Sequence, residues 1–434
     1  MSNEKSGIPQ SQTCSSSCKK SRRHKSWGRL LGLILLGYVL YSFFDSKDNH
    51  HRGRHLNTDS EVFAGHQGSK DVIYDSCRQN AVDWDGPSTF ETQAQNFQLR
   101  FGKGKYSSHV QIHTGSVTKP TLRVGGKISP EGNDHIILKG DETARLGLHI
   151  EIKETENLFD VFIWFEDRTV DDGWRKYPAC ALLDISIILP ETYIRYSSIL
   201  VDGAVTSIDA HDLDSIAFDK LDLETAVGHI TTTGEVFVDE FLTRVSTGKT
   251  EIESVQVTEK SEKALNVKVS TNTGHVAVGV KTASVGKDEG KHHSIDISSN
   301  TGSVKVDITP SPSTDSAKNP GHLDVKAQTR TGSVKSTIQL ASTEQNLYLT
   351  SGSGTGSVDA FVSDVFSGHF KVETRTGSAR VQEAPGSDSH ISYEKQTTQF
   401  KSGIKIFEGD DSIEDQPQID LRTGTGRASL VFTN

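Results

Sequence analysis

The strongest constraint on the fold is a short motif that recurs through residues 191–434. Three clear copies occupy residues 299–304, 329–334 and 353–358, and they read SNTGSV, TRTGSV and SGTGSV. A repeat of roughly 20 to 50 residues is typical of solenoids, propellers and other arrays. Ten glycines align on this motif at intervals of 20 to 30 residues, and we predict that they are structural turn glycines: Gly203, Gly228, Gly248, Gly274, Gly302, Gly332, Gly356, Gly377, Gly403 and Gly426.

The apolar residues around each glycine define the shape of one repeat. Before the glycine they lie at offsets −7 and −5, as Ile295 and Ile297 do before Gly302. After the glycine they lie at +2 and +4, as Val304 and Val306 do. A straight strand buries every second residue, so it cannot change from odd to even offsets. The chain must therefore bend or bulge at the glycine, which accepts positive φ and leaves room at a corner.

Two architectures satisfy this bend. In a β-solenoid each glycine is a corner and successive turns stack, whereas in an antiparallel array each Thr-Gly is a hairpin turn. We favour the solenoid because it explains one recurring turn separated by loops of varied length, such as residues 283–293 and 309–320. A propeller blade needs roughly 40 to 50 residues, about twice the observed period. Two glycines fit poorly: Gly234 follows Gly228 by six residues, and Gly403 has Ile404 and Ile406 at odd offsets.

The composition agrees with a thin, turn-rich β protein. Hydrophobic residues make up 33% of the chain and there are 38 glycines, which disfavours a large helical enzyme core. The fold class predicted is all-β, with a repetitive β-solenoid or β-helix-like domain at 191–434. A β-rich segment at 89–190 precedes it, and we expect this segment to cap the open end of the repeat.

An apolar run near the N-terminus predicts one transmembrane helix. Residues 30–44 read LLGLILLGYVLYSFF without a charge, and Trp27–Phe44 is just long enough to cross a bilayer if Arg29 snorkels outward. A cleaved signal peptide is the alternative, but Tyr41–Asp45, which reads YSFFD, is a poor cleavage site. The basic tail at 1–29 predicts a cytosolic N-terminus, so the polar linker at 45–88 and the β domain are expected in a lumen or outside the cell.

The four cysteines follow this topology. Cys14 and Cys18 lie in the predicted cytosolic tail, whereas Cys77 and Cys180 lie beyond the membrane. An oxidising compartment would permit one disulfide between Cys77 and Cys180. Residues 45–88 include His50, His51 and His55 in a polar stretch, and we interpret this stretch as a solvated spacer rather than as a metal site.

The chain shows little sign of catalytic chemistry. Asp83-Trp84-Asp85 and Asp212-Leu213-Asp214 match the metal-binding pattern of glycosyltransferases, but neither lies between alternating strands and helices. The sequence also lacks a phosphate-binding glycine loop, a G-x-S-x-G elbow and an H-E-x-x-H motif. We therefore predict no catalytic residue, no metal ligand and no cofactor.

The stretch Leu182–Asn434 resembles an adhesin-like domain family of unknown function. The resemblance rests on a strand that ends in Leu-Pro (Ile187–Pro190) and on the repeated strand–Thr/Ser-Gly-x-Val–strand units. It implies a repetitive β structure, often tethered to a membrane, and it carries no catalytic residue over to this chain.

Together these observations predict a non-enzymatic, single-pass membrane protein that presents an adhesin-like β domain for binding or surface structure. Faces lined with Ser, Thr and charged residues suit a glycan or protein ligand, and a net charge of −10 argues against nucleic acid. The alternative is a carbohydrate-active enzyme of the secretory pathway or cell surface. Three or more carboxylates converging in one groove would favour that alternative.

Overall fold

The structure, a computed structural model, describes only part of the chain. The described residues are 82–83, 88–102, 106–129, 148–165, 180–192, 195–257, 263–282, 292–310, 321–342, 345–387, 389–407 and 417–434. They all belong to one compact unit, Asp71–Asn434. They form strands, turns and bends but no helix, which confirms the all-β class.

Within these ranges no helix is long and apolar enough to cross a membrane. The predicted span at 30–44 and the tail at 1–29 lie outside the described residues, and so does Cys77. The side chain of Cys180 is not described either. The anchor and the disulfide therefore stay predictions.

The described residues contain 22 strands. In chain order they are β1 (Val82–Asp83), β2 (Thr89–Glu91), β3 (Asn96–Phe101), β4 (Tyr106–Gly115), β5 (Thr121–Ser129), β6 (Leu148–Glu154), β7 (Leu158–Phe165), β8 (Cys180–Pro190), β9 (Arg195–Ala210), β10 (Ala217–Gln256), β11 (Asn266–Thr273), β12 (Val276–Thr282), β13 (His292–Thr301), β14 (Val304–Pro310), β15 (His322–Thr331), β16 (Val334–Ile338), β17 (Asn346–Thr355), β18 (Val358–Ser363), β19 (Gly368–Gln382), β20 (Ser389–Gln396), β21 (Phe400–Phe407) and β22 (Gln418–Thr433).

Each repeat consists of a first arm, a turn glycine and a second arm, and we call this unit a rung. First arms pair in parallel in the order β11–β13–β15–β17, and second arms pair in the order β12–β14–β16–β18. Equivalent residues face each other, since Ile295 pairs with Val267 on one side and Val325 on the other. The longer β10 contributes two rungs, of which the second pairs with β11 and β12.

The core lies between the two series of arms. Ile295 and Ile297 are buried before Gly302, and Val304 and Val306 are buried after it. The buried positions therefore change from odd to even offsets at the glycine, as the sequence predicts. Because every rung repeats this pattern, the buried side chains form one continuous apolar cluster along the stack.

The last rungs do not stack in chain order. The C-terminal strand β22 lies between β17 and β18 on one side and β19 on the other, and all of these pairings are parallel. The rung of β19 is thus the last of the stack although it precedes β22 in the sequence. The expectation that successive turns stack in order fails at this point.

Other strands flank the repeats at each end. At the N-terminal end, β3 and β4 pair in parallel with the two halves of β9, and β7 and β8 lie outside them. The antiparallel strands β5 and β6 follow, and β1 shows that β structure begins inside the predicted linker at 45–88. At the other end, the antiparallel hairpin β20–β21 pairs with β19.

Candidate binding site

The turn glycines form a stack of their own. In eight of the ten predicted positions φ lies between 137° and 151°, a region that side chains rarely adopt. A Cβ at Gly302 would lie less than 3.0 Å from the carbonyl oxygen of Gly274, the turn glycine of the neighbouring rung. The eight positions are Gly228, Gly248, Gly274, Gly302, Gly332, Gly356, Gly377 and Gly426.

Two predicted turn glycines occupy other places. Gly203 pairs with Thr225, three residues before Gly228, so the corner of its rung falls at Thr206 instead. Gly403 lies inside the antiparallel strand β21, opposite Phe370 and Tyr393, and its φ is not in the positive region. Gly234 has a φ of 79° with open space around it, which makes it a turn between two rungs.

A second row of residues supports each corner. Three positions before the turn glycine, a buried Ser or Thr donates a hydrogen bond to the carbonyl oxygen of the neighbouring turn glycine. Thr329 Oγ1 lies 3.0 Å from Gly302 O, and Ser353 Oγ lies 2.8 Å from Gly332 O. The same contact recurs at Ser299, Thr374 and Thr423. The sequence contains a signal for this row that was not recognised, namely a Ser or Thr three residues before most of the glycines.

The outer face of the first arms carries a groove of about 590 Å³. It runs across five rungs, between two rows of outward side chains four and two positions before the turn glycines. Its lining residues are Glu224, Arg244, Val245, Ser246, Ser270, Thr271, Asn272, Ser298, Ser299, Asn300, Gln328, Thr329 and Arg330.

Uncharged polar groups dominate the middle of this groove. Asn300 Nδ2 donates to Asn272 Oδ1 at 3.0 Å, so the two amides form a short ladder across neighbouring rungs. The charges lie at the ends: Arg244 Nη1 contacts Glu224 Oε2 at 2.7 Å at one end, and Arg330 lies at the other. Only one of the lining residues, Glu224, is a carboxylate.

A histidine between two carboxylates lies on β4, far from the groove in sequence. His109 Nε2 is 2.7 Å from Asp209 Oδ2, and its Nδ1 is 3.5 Å from Asp184 Oδ1. The hydrogen bond to Asp209 raises the pKa of His109 above its ordinary value. Burial alone would raise the pKa of Asp209, but hydrogen bonds from His109 and Thr231 hold it below its usual range. These contacts join β4, β8 and β9.

A buried lysine lies below the hairpin β20–β21. The side chain of Lys405 is fully buried, and its three N–H donors face Asp364 O, Phe366 O at 3.1 Å and Asp364 Oδ1 at 3.1 Å. Burial lowers the pKa of Lys405, and Asp364 opposes that effect. Ser387 and Ser389 donate hydrogen bonds to the same carboxylate. Because every donor of the ammonium group is satisfied, we interpret the cluster as structural.

The residues considered for metal chemistry do not converge. Asp212 and Asp214 lie in the exposed turn between β9 and β10, while Leu213 between them is buried. The side chains of residues 83–85 are not described. Across the described ranges, no group of three or more His, Cys, Asp or Glu side chains is arranged to hold a metal ion.

The fold and groove define an all-β repeat domain with a polar surface site. Residues 279–418 match the model of a family described as a domain of unknown function (DUF7330), which covers the middle and later rungs. Among curated proteins, none matches this sequence.

Two crystal structures show a weak similarity. A "putative cell adhesion protein" from Clostridium sporogenes ATCC 15579 is 10% identical, with a TM-score of 0.16, over 82% of this chain and 100% of its own. A "putative adhesin" from Bacteroides fragilis NCTC 9343 is 10% identical, with a TM-score of 0.17, over 81% of this chain and 97% of its own. TM-scores this low do not establish a shared fold.

Proposed function

We propose that this chain is a non-enzymatic, adhesin-like binding protein whose repeat region is a β-solenoid and whose ligand lies in the groove. The observation that carries the proposal is the groove itself, which spans five successive rungs and gathers uncharged polar side chains from four of them. Charged residues make up 24% of the whole chain, so a face without charge at its centre is a local departure. Depletion of charge at the centre of a surface patch is typical of binding interfaces.

The lining of the groove favours binding over catalysis. Hydrolysis or elimination of a glycan needs paired carboxylates for acid and base roles. The groove offers Glu224 alone, and Arg244 already pairs with it. Thr, Ser and amide side chains supply hydrogen bonds for recognition without a proton-transfer role.

The β-solenoid assignment is supported by the parallel pairing of equivalent arms and by the stacked turn glycines. Each rung pairs only with its neighbours, as in other quasi-one-dimensional repeat proteins. A rung surface repeats about every 4.8 Å along such a stack, which suits many weak contacts with an extended ligand.

The tether belongs to the same proposal. Residues 30–44 are apolar, and the basic residues of 1–29 precede them, which supports a single-pass anchor with the β domain outside the cell or in a lumen. Protease added to intact cells should then remove residues 89–434 if they lie at the surface, and a lumenal domain should stay protected even after selective opening of the plasma membrane. If those residues are instead exposed to the cytosol, detected after selective opening of the plasma membrane, the orientation is wrong.

A blocking substitution tests the groove. Full-length protein in detergent is immobilised and offered a panel of glycans and soluble proteins. Ser298→Trp places a large side chain in the groove and should abolish retention of any ligand that the wild type retains. Ser294→Trp is the matched control, because Ser294 also points outward from β13 but lies outside the groove. Equal retention by wild type and Ser298→Trp would contradict the proposed site.

A further inference from the structure

We infer that the ligand of the groove is a linear, uncharged glycan that runs along the stack, across the strands. This inference rests on the proposed function, because it names the class of ligand for the same site. It follows from the direction of the groove, from the pairing of the backbone beneath it, and from the hydrogen-bonding groups and charges of its lining.

The direction follows from the two rows that form the walls. One wall contains Ser270, Ser298 and Gln328, which face each other in register on β11, β13 and β15. The other contains Asn272 and Asn300 on the same strands. Five rungs at about 4.8 Å per step give a length of roughly 19 Å. A linear chain lying between the walls therefore meets a new set of polar side chains at each rung.

The backbone argues against an extended peptide. Peptides that bind β-sheets gain affinity from main-chain hydrogen bonds at a free edge. Strands β11, β13 and β15 each pair with a strand on both sides, so the groove lies on a face and not at an edge. Recognition must then come from side chains alone.

The side chains suit hydroxyl groups. Each amide supplies both donors and acceptors, and a serine hydroxyl can act as either. The contact between Asn300 Nδ2 and Asn272 Oδ1 leaves the Oδ1 of Asn300 and the Nδ2 of Asn272 for a ligand. A sugar hydroxyl also donates and accepts, so it can satisfy both groups at once.

The charges argue against an acidic glycan. A polymer with a carboxylate on each sugar would need a row of cations along the groove. The lining contains two arginines, at opposite ends, and Glu224 neutralises one of them. None of the lining residues from Val245 to Thr329 is charged.

The test uses full-length protein in detergent and three immobilised probes: a linear uncharged glucan, polygalacturonate and an acidic peptide. We expect retention of the protein on the uncharged glucan, with little change when salt is raised. Asn272→Leu with Asn300→Leu removes both amides and should weaken retention at least about tenfold. Asn266→Leu is the matched control, because Asn266 is an exposed residue of β11 outside the groove, and it should bind like the wild type.

The outcomes separate this inference from the proposed function. Retention on polygalacturonate that falls as salt rises would overturn the inference that the ligand is an uncharged glycan, and so would retention on the peptide alone. Either result would still agree with the proposal that the groove is a binding site. Glucan retention that survives the double Asn variant would overturn the inferred contacts. If the Ser298→Trp variant also retains every ligand, then the proposed site fails as well.

Discussion

At the scale of single residues, close contact with neighbouring backbone, and not side-chain packing, explains why the turns require glycine. A Cβ at Gly302 would meet the carbonyl oxygen of Gly274 in the preceding rung. This oxygen cannot move without disturbing the parallel ladder. Positive φ adds a second cost for any other residue. The same oxygen, Gly274 O, also accepts a hydrogen bond from Ser299 Oγ, so the corner and the hydroxyl row stabilise each other.

We expect Gly302→Ala to lower the free energy of unfolding by about 1–3 kcal/mol, because of the positive φ and the contact with Gly274 O. Gly352→Ala is the control, since Gly352 lacks a positive φ and a Cβ there would be 3.8 Å from the nearest atom. Its effect should stay within about 1 kcal/mol. Denaturant unfolding of both variants measures the difference, and equal effects would contradict the role of the corner.

The pKa of His109 gives a pH dependence of stability. Because its pKa is raised in the folded state, its contribution is complete below the unfolded value of about 6.5 and is lost as pH rises through the folded value. His109→Gln should therefore destabilise the protein more at about pH 5.5 than at about pH 9. Asp209→Asn should reduce the same pH dependence, since Asp209 makes the largest contribution to the shift. Thermal melts of the wild type and the variants at the two pH values measure the effect. A loss of stability in His109→Gln that is equal at both pH values would contradict the proposed contribution of the charged His109.

At the scale of elements, Lys405 fixes the terminal hairpin to the last rungs. It reaches from β21 to the turn between β18 and β19, and its Nζ lies 4.9 Å from the ring centre of Phe432 on β22. The hairpin otherwise exposes most residues of β20. A single buried ion pair thus connects three parts of the C-terminal end.

Lys405→Met should destabilise the protein by roughly 3–5 kcal/mol, because it leaves the carboxylate of Asp364 and two carbonyl groups without the ammonium group. Lys401→Met on the same strand removes only a contact with the exposed ring of Tyr393, so it should cost about 1 kcal/mol or less. Equilibrium unfolding compares the two. A small effect at Lys405 would show that the cluster is not a structural anchor.

The elements also show how much the sequence can predict. The change of parity at Gly302 follows from local sterics, so the bend and the inward face were predictable from one repeat. The contact from Thr329 to Gly302 joins residues 27 positions apart, and a pattern of single residues does not reveal which acceptor lies there. The groove was not predicted either, since Ser270, Ser298 and Gln328 become neighbours only through the parallel register.

At the scale of the whole molecule, the position of β22 is the least predictable feature. Its arms carry the same inward pattern as every other rung, with Ile419 and Leu421 before Gly426 and Ala428 and Leu430 after it. Rungs with equivalent faces can pair in many orders, so local sequence does not specify that β22 lies between β17 and β19. The hairpin β20–β21 pairs with the first arm of β19, which places β19 at the end of the stack and leaves β22 inside it.

This order makes the C-terminus essential for the last rung. Among the described strands, β22 alone joins β17 and β18 to β19, so deleting residues 417–434 should release β19 with its hairpin. The rungs of β11 to β16 pair only with their neighbours and should stay folded. Hydrogen exchange should then show loss of protection in β19 and retained protection in β11 and β13. A peptide of residues 417–434 added in trans should restore protection in β19, because it offers the missing ladder to both exposed edges. Protection of β19 in the truncated chain without the peptide would show that the rung is held by contacts other than β22.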